Sequence, residues 1–277
     1  MKQISIILVS ILLLVMSGLY VRQVVRDTVE TRVANQQYVV VLGDSVASGA
    51  GLKDGRQAPG CDVSDQAFPF VLGKLLGKPV EQFACSGATV AATQTKVTGT
   101  VVEQLEAARE YIPGSLVVVN AGANDTGWLQ LIVSCTTENC ATDKNRTTLE
   151  SELAPLKQNL AALLTEIQQM KPQSVVVNTY YDLLNPGDTC FERLGVSAEE
   201  ATFIHEEAAK LNGTIAAAAR QSNTNLVQID FSGHLLCDAV PWIQNATSKA
   251  PLHPTSAGQQ QIAAQDAQAL KELTPGQ

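Results

Sequence analysis

The chain has 277 residues, with 27 Asp and Glu against 19 Lys and Arg, a formal net charge of −8. Less an N-terminal segment, that length fits one domain of about 240 residues. The acidic balance and the lack of a basic cluster argue against a nucleic-acid partner, and aromatic residues, at 5% of the chain, do not suggest a stacking platform for carbohydrate.

Residues 4–19 are nearly all apolar, preceded by Lys2 and followed by Arg22 and Arg26. This pattern reads as a secretory signal or an uncleaved membrane anchor over 1–25. The run falls short of the about 20 residues of a spanning helix. No clean small-x-small cleavage site and no lipobox cysteine follows, so cleavage and retention both stay open. Residues 26–36 read as a polar stalk, and a single catalytic domain is expected over 37–277. From residue 38, short β-branched runs alternate with amphipathic stretches. Strands are expected at 38–42, 80–84, 116–120, 174–179 and 226–230, and helices at 67–76, 101–111, 149–170, 199–222 and from Ser256. The alternation predicts a parallel sheet covered on both faces, with right-handed crossovers. Stretches 51–65 and 127–143 read as long loops, of the kind that are functional or stapled.

Six cysteines follow the N-terminal segment: Cys61, Cys85, Cys135, Cys140, Cys190 and Cys237. An even count in an exported chain implies disulfides, and six allow fifteen pairings. Cys135 and Cys140 flank a short polar loop and can close it locally. Zinc is the rival, but there is no CxxC pair and the three histidines lie far from the cysteines, so no metal is expected.

Three segments carry residues suited to chemistry. Gly43-Asp44-Ser45 follows the first strand, Cys85-Ser86-Gly87-Ala88 the second, and Asn120-Ala121-Gly122-Ala123-Asn124-Asp125 the third. Open α/β sheets bind ligands at the carboxyl ends of their strands, so these segments should converge on one edge. The fourth element, Leu252-His253-Pro254, lies just before the last helix. Ser45 is unreactive alone and needs a base such as His253. A tetrahedral intermediate needs donors aimed at its oxygen. The backbone N–H of Ser45, that of Gly87, which has no Cβ to hinder approach, and the amide of Asn124 can supply them. Blander roles compete: Ser45 as a helix N-cap, Asp44 as a brace of the turn, Asp125 as a turn former. His205 falls in the 199–222 helix and reads as a surface or packing residue, and His234 is a weaker rival base. Trp128, Leu129, Leu131, Ile132 and Val133, with Leu235, Leu236, Trp242, Ile243 and Leu252, either line an acyl groove or form ordinary core under the loops.

Ser45, Gly87, Asn124 and His253, in this order and each in its short motif, resemble the four marker residues of the SGNH (GDSL-type) hydrolase superfamily. The likeness covers nearly all of the chain after residue 37. The 40–49 context, the six cysteines and Pro241-Trp242-Ile243 resemble most the secreted actinobacterial esterase and lipase branch. The resemblance implies a three-layer, flavodoxin-like α/β/α sandwich on a five-stranded parallel sheet. It implies ester hydrolysis by a serine nucleophile, without metal or cofactor, on a small-molecule or lipid ester. One position departs: where most members have an Asp three residues before the histidine, this chain has Ala250. The Ala250 carbonyl is the matching acceptor to orient His253, with Asp230 and Asp238 as rivals from elsewhere. A neutral acceptor fixes the tautomer but stabilises an imidazolium less than a carboxylate does. No Gly-x-Ser-x-Gly surrounds Ser45, which disfavours an α/β-hydrolase lipase. The expected protein is an exported serine esterase or lipase working through a Ser-His dyad. It is expected to be monomeric, and secreted or anchored to the outer face of the cell membrane, with membrane contact through the N-terminal segment. The alternatives are a carbohydrate O-acetyl esterase of the same superfamily and a non-catalytic cell-envelope binding protein. The cysteines are expected to pair in sequence order: Cys61–Cys85, Cys135–Cys140 and Cys190–Cys237.

Overall fold

Runs of valine build the sheet. Strands β1 (Val39–Gly43), β5 (Leu116–Asn120) and β6 (Ser174–Asn178) carry the sequences VVVLG, LVVVN and SVVVN, buried along almost their whole length. Continuous burial, rather than alternation, is what a parallel sheet covered on both faces requires. Shorter β4 (Val80–Gln82) and β7 (Asn225–Val227) complete five parallel strands in the order β4-β1-β5-β6-β7. The computed structural model describes residues 37–274 apart from 54, 59–60 and 94–98, together with residues 20 and 22. The expected signal or anchor over 1–25 and stalk over 26–36 otherwise lie outside the described residues.

Helices cover both faces. On one lie α2 (Phe68–Leu76) and α7 (Ser256–Leu273), which pack on each other; on the other lie α3 (Val101–Ala108), α5 (Asp143–Gln169) and α6 (Ala198–Gln221). The helices have recognisable start signals. Capping boxes open α3 at Thr100 and α6 at Ser197, and Thr142 caps α5. Helix α2 has no side-chain cap of its own, since its N-cap is Ala67. Buried Gln259 of α7 serves instead. Its Oε1 accepts from the Phe68 N–H at 2.7 Å while its Nε2 donates to Val46 O at 2.9 Å.

Three differences from expectation have physical causes. Residues 51–65 are not simply a loop: they contain an antiparallel hairpin, β2 (Gly55–Ala58) with β3 (Cys61–Ser64). Its polar residues show no apolar alternation, and a disulfide from Cys61 to Cys85 ties it to the main sheet. Residues 127–143 hold a short helix, α4 (Trp128–Ser134), opened by Gly127 rather than by a capping side chain. Helix α5 begins at Asp143, six residues before the apolar pattern does, because Thr142 caps a polar first turn.

A buried acid sits between β6 and α7. Asp266 is fully buried and accepts one bond, from Asn178 Nδ2 at 3.1 Å. Burial pushes its carboxyl up to about 7, against which the Asn178 bond acts only partly. Asn178 Oδ1 and Asp266 Oδ1 have no donor, and a proton on Asp266 supplies one. The folded chain therefore binds this proton more tightly than the unfolded one, and stability falls as pH rises from about 4 to about 7. Asp266→Asn is expected to raise stability by on the order of 2 kcal/mol at pH 8 and to change it little at pH 4. Thermal melts of both proteins across pH check this.

Candidate active site

The strand order places a topological switch between β1 and β5, since the chain leaves β1 for β4 on one side and returns to β5 on the other. Ligands of open parallel sheets bind at such a point. Here the two strand ends are pressed together. The Asp44 N–H donates to Asn120 O at 3.1 Å, and a Cβ on Gly43 would lie 2.2 Å from the same oxygen. Only glycine allows this approach. Gln104 of α3 locks it, accepting from the Gly43 N–H at 2.8 Å and donating to Gly43 O at 2.9 Å.

Beyond Gly43 the chain turns into a single helical turn, α1 (Ser45–Ser48), capped by the Asp44 side chain, which accepts from the Val46 N–H at 3.0 Å. Ser45 thus stands at the head of the turn, and its Oγ meets His253 Nε2 at 2.7 Å across 208 positions of sequence. His253 belongs to a loop clamped on three sides. Its carbonyl accepts from the Gln244 N–H at 2.7 Å, and Gln244 Nε2 donates to Ala50 O and Pro254 O at 3.0 Å each. Leu252 has φ +67, a left-handed conformation uncommon for leucine. It is held by its N–H on Gln244 O at 3.0 Å and by the Tyr181 hydroxyl on its own carbonyl at 2.8 Å.

His253 Nδ1 lies 3.0 Å from the carbonyl of Pro251. The expected acceptor, Ala250, is displaced from this role: its carbonyl takes the backbone N–H of His253 at 3.4 Å. The left-handed Leu252 curls the chain so that the nearer carbonyl, not that of Ala250, faces the ring. Neither rival carboxylate reaches the histidine. Asp230 accepts from Ser232 N and Oγ, and Asp238 Oδ2 accepts from the Leu235 N–H at 2.6 Å. His234 stacks on Trp242 with ring centroids 3.6 Å apart, and His205 sits on α6 beside Asp182.

The donors expected for an oxyanion come together at the same edge. Gly87 sits in a turn at φ +75. Ser48 Oγ bonds Ser45 O at 3.2 Å and Ser86 Oγ at 3.0 Å, so the Ser45 turn and the Gly87 turn are joined. Asn124 Nδ2 donates to Ala88 O at 2.9 Å. An amide nitrogen carries two protons, so this bond orients the group and leaves its second donor. Asp125 has a structural part: both its oxygens accept from the Val90 N–H at 3.0 Å, and burial pushes its carboxyl up to about 7. Sequence reasoning missed Tyr180 and Tyr181. Tyr180 donates its hydroxyl proton to Asp44 Oδ2 and accepts from the Ala123 N–H at 3.2 Å. Both tyrosines follow the end of β6, so the strand-end rule that singled out the other segments points to them too.

An inner site adjoins an apolar cavity at Ile132, Leu183 and Leu252 and a polar groove at Asn124. The inner site, about 60 Å³, is lined by Asp44, Ser45, Asn124, Tyr180, Leu252 and His253 among others. Ile132, Leu183 and Leu252 line both this site and an apolar cavity of about 450 Å³ that continues over Val133, Phe191, Val196 and Leu236. Of the groove candidates, Trp128, Leu129, Ile132, Val133, Leu236 and Leu252 line these two spaces, while Leu235 and Ile243 are core. On the far side of Asn124 a polar groove runs over Gly87, Thr93, Asp125, Gln130, Glu152 and Asn159.

Three disulfides hold the surrounding loops: Cys61–Cys85, Cys135–Cys140 and Cys190–Cys237. Cys135, Cys140 and Glu200 cluster closely enough to suggest a metal site. The two sulfurs are bonded to each other, however, and Glu200 Oε1 accepts from the Cys140 N–H at 3.0 Å. These residues do not fit a zinc ion, which takes thiolates.

A serine and a histidine in hydrogen-bond contact at the switch point of a parallel sheet define a serine hydrolase of the α/β/α sandwich class. A profile of the GDSL-like Lipase/Acylhydrolase family matches residues 41–261, and the chain belongs to this family of the SGNH superfamily. It is a carboxylic ester hydrolase. It is similar to a lipase of Streptomyces rimosus, 27% identical over 235 residues that cover 79% of this chain and 81% of the relative. The crystal structure of the extracellular lipase from that organism superposes with a TM-score of 0.70 at 22% identity, covering 85% of this chain and 99% of the other. A phospholipase A1 from Streptomyces albidoflavus gives 0.70 at 23% identity and the same coverage. A carbohydrate acetylesterase from Sinorhizobium meliloti gives 0.50 at 15% identity, covering 86% and 100%.

The Cys61–Cys85 bridge closes a loop over 24 positions that connects the Ser45 turn to the Gly87 turn. Loop entropy assigns such a bridge about 3–4 kcal/mol. Replacing both cysteines by serine is expected to lower the melting temperature. It is also expected to lower kcat well below that temperature, where circular dichroism still reports an intact fold. Equal activity at equal folding would show that the bridge serves stability alone.

Proposed function

We propose that the chain is an exported lipase or esterase that cleaves acyl esters through a Ser45–His253 dyad. What carries this reading is the 2.7 Å bond from Ser45 Oγ to His253 Nε2 at the mouth of an apolar cavity. Ser45 Oγ attacks the acyl carbonyl as Nε2 takes its proton. The imidazolium that forms keeps its Nδ1–H on the Pro251 carbonyl, which holds the ring in the productive tautomer. The carbonyl oxygen becomes an oxyanion within reach of the Ser45 N–H, the Gly87 N–H and the Asn124 amide. His253 returns its proton to the leaving alcohol, and a water activated by the same nitrogen releases the acid.

Cavity shape bears on the acyl group. An acetyl group fills little of a space of about 450 Å³ lined by leucine, isoleucine and phenylalanine, whereas an alkyl chain of several carbons gains about 0.8 kcal/mol for each methylene it buries there. The relative from S. rimosus is named a lipase, in keeping with this. A carbohydrate O-acetyl ester is the second reading, favoured by the polar groove beyond Asn124 and by the likeness to an acetylesterase fold. Export rests on the apolar segment 4–19 and the three disulfides, which form in oxidising compartments. The same segment is the proposed anchor where it is not removed, with 26–36 as its stalk and 37–277 as a monomeric catalytic domain.

Ser45→Ala is expected to abolish ester hydrolysis and labelling by a fluorophosphonate while leaving the melting temperature unchanged. Asn124→Ala should lower kcat by about 10²–10³-fold, the usual effect of removing one oxyanion donor. Full turnover in the serine variant would remove the assignment, and an unlabelled wild-type chain would favour a binding protein.

Leu183→Trp fills the neck between the two cavities. Hydrolysis of a nitrophenyl decanoate is expected to fall about tenfold or more relative to the acetate. Parallel losses on both esters would place the acyl chain elsewhere.

A further inference from the structure

Asp44 is a carboxylate buried without a cation. It is 1% exposed, and among the described residues no lysine or arginine pairs with it. Its two oxygens accept from the Val46 N–H and the Tyr180 hydroxyl. An ionised group in such a place is costly unless donors and charge compensate it. Capping α1 does not require the charge, since asparagine or serine caps equally well.

Tyr180 is built to hold an anion there. The Ala123 N–H donates to its oxygen, so the hydroxyl proton is left for Asp44. Its backbone is fixed at both ends by one side chain: the Tyr180 N–H donates to Asn212 Oδ1 at 2.9 Å, and Asn212 Nδ2 donates to Tyr180 O at 2.8 Å. Asp44, Ser45, Tyr180 and His253 line one cavity of about 60 Å³. Across it, His253 Nδ1 faces only a neutral carbonyl. When Ser45 gives up its proton, a positive charge forms on a ring with no carboxylate in contact.

We infer that Asp44 is the charge partner of His253, acting through space across the catalytic cavity and held anionic by Tyr180. It stands in for the carboxylate that a triad sets against Nδ1. The inference rests on the reading of Ser45 and His253 as nucleophile and base. Asp44 and Tyr180 act through His253 and are positioning residues. The electrostatics agree in sign. Burial drives the Asp44 carboxyl up to about 6, while the Tyr180 bond, the Val46 amide and the charge of protonated His253 pull it down. The attraction is mutual, so it favours the imidazolium equally. The other titratable groups facing Asp44 are Tyr180 and Tyr181, whose hydroxyls burial pushes well up, and Asp125, with Glu152 beyond it.

Two substitutions separate this role from capping. Asp44→Asn keeps an acceptor for the Val46 N–H and removes the charge. We expect kcat to fall about 10–100-fold, with KM within about twofold and no recovery up to about pH 9. Tyr180→Phe keeps the carboxylate and removes a donor, so the Asp44 pKa rises. Its loss should be largest near about pH 6 and shrink by about pH 9, where Asp44 is ionised again. The third reading is the titration of His253 by NMR in a Ser45→Ala background, which needs no activity. Adding Asp44→Asn should move the His253 midpoint to lower pH. An unmoved midpoint overturns the inference, as does a pH-independent loss of the same size in both variants. If Asp44→Asn does not fold, Tyr180→Phe decides through its pH profile and the His253 midpoint. Activity retained by Ser45→Ala would instead refute the underlying dyad.

Discussion

The Ser45 and Asn124 sides of the candidate site in this hydrolase hang from one close approach, that of Gly43 at the end of β1 to Asn120 at the end of β5. The contact leaves no room for a Cβ and is locked by the paired hydrogen bonds of Gln104. Because β1 and β5 flank the switch point, this contact puts the Ser45 turn and the Asn124 turn side by side. The geometry is set by buried backbone hydrogen bonds, which cannot be exchanged for bonds to water without leaving polar groups unsatisfied. Ser45 and Asn124 therefore inherit the rigidity of the sheet although both lie just outside it.

The histidine is supported differently. Its loop is fixed by neutral hydrogen bonds, from Gln244, Tyr181 and the backbone, and by the packing of Gly51 against Ala250, where a Cβ on Gly51 would lie 2.5 Å from that of Ala250. These restraints orient the ring through Pro251 without placing a formal charge on it. Orientation and charge stabilisation, which one carboxylate supplies together in a triad, are thus separable here. The ring is held by the loop, and Asp44, next to Ser45, is a carboxylate that lines the same cavity.

Polarity is also divided across the site. Apolar side chains from α4, from the segment after β6 and from the loop before His253 enclose the apolar cavity on the Leu252 side. Hydroxyl, amide and carboxyl groups line the groove on the Asn124 side. An ester presents the same division, an alkyl chain on one side of the carbonyl and oxygen on the other. The disulfides Cys135–Cys140 and Cys190–Cys237 lie in the segments that wall the apolar side, where long connections have little regular structure of their own to fix them.

The five parallel strands and the five long helices were legible from the chain because valine runs and amphipathic periods are local signals. The sequence also singled out Ser45, Gly87 and Asn124, in short motifs after strand ends, and His253, just before the last helix, as the candidate site. The hairpin Gly55–Ala58 with Cys61–Ser64 and the helix Trp128–Ser134 were not legible, since neither carries an apolar period or a side-chain cap. The partner of His253 Nδ1 was misplaced by one residue, because the left-handed turn at Leu252 depends on Gln244 and Tyr181. Tyr180 stands after a strand end, but its partner emerged only when β6 was set beside β5, which brings its hydroxyl to Asp44 from 136 positions away. The sequence alone determined which residue types stand at the ends of which strands. The tertiary structure decided which of them touch, because hydrogen bonds of known direction form only after packing has fixed both partners.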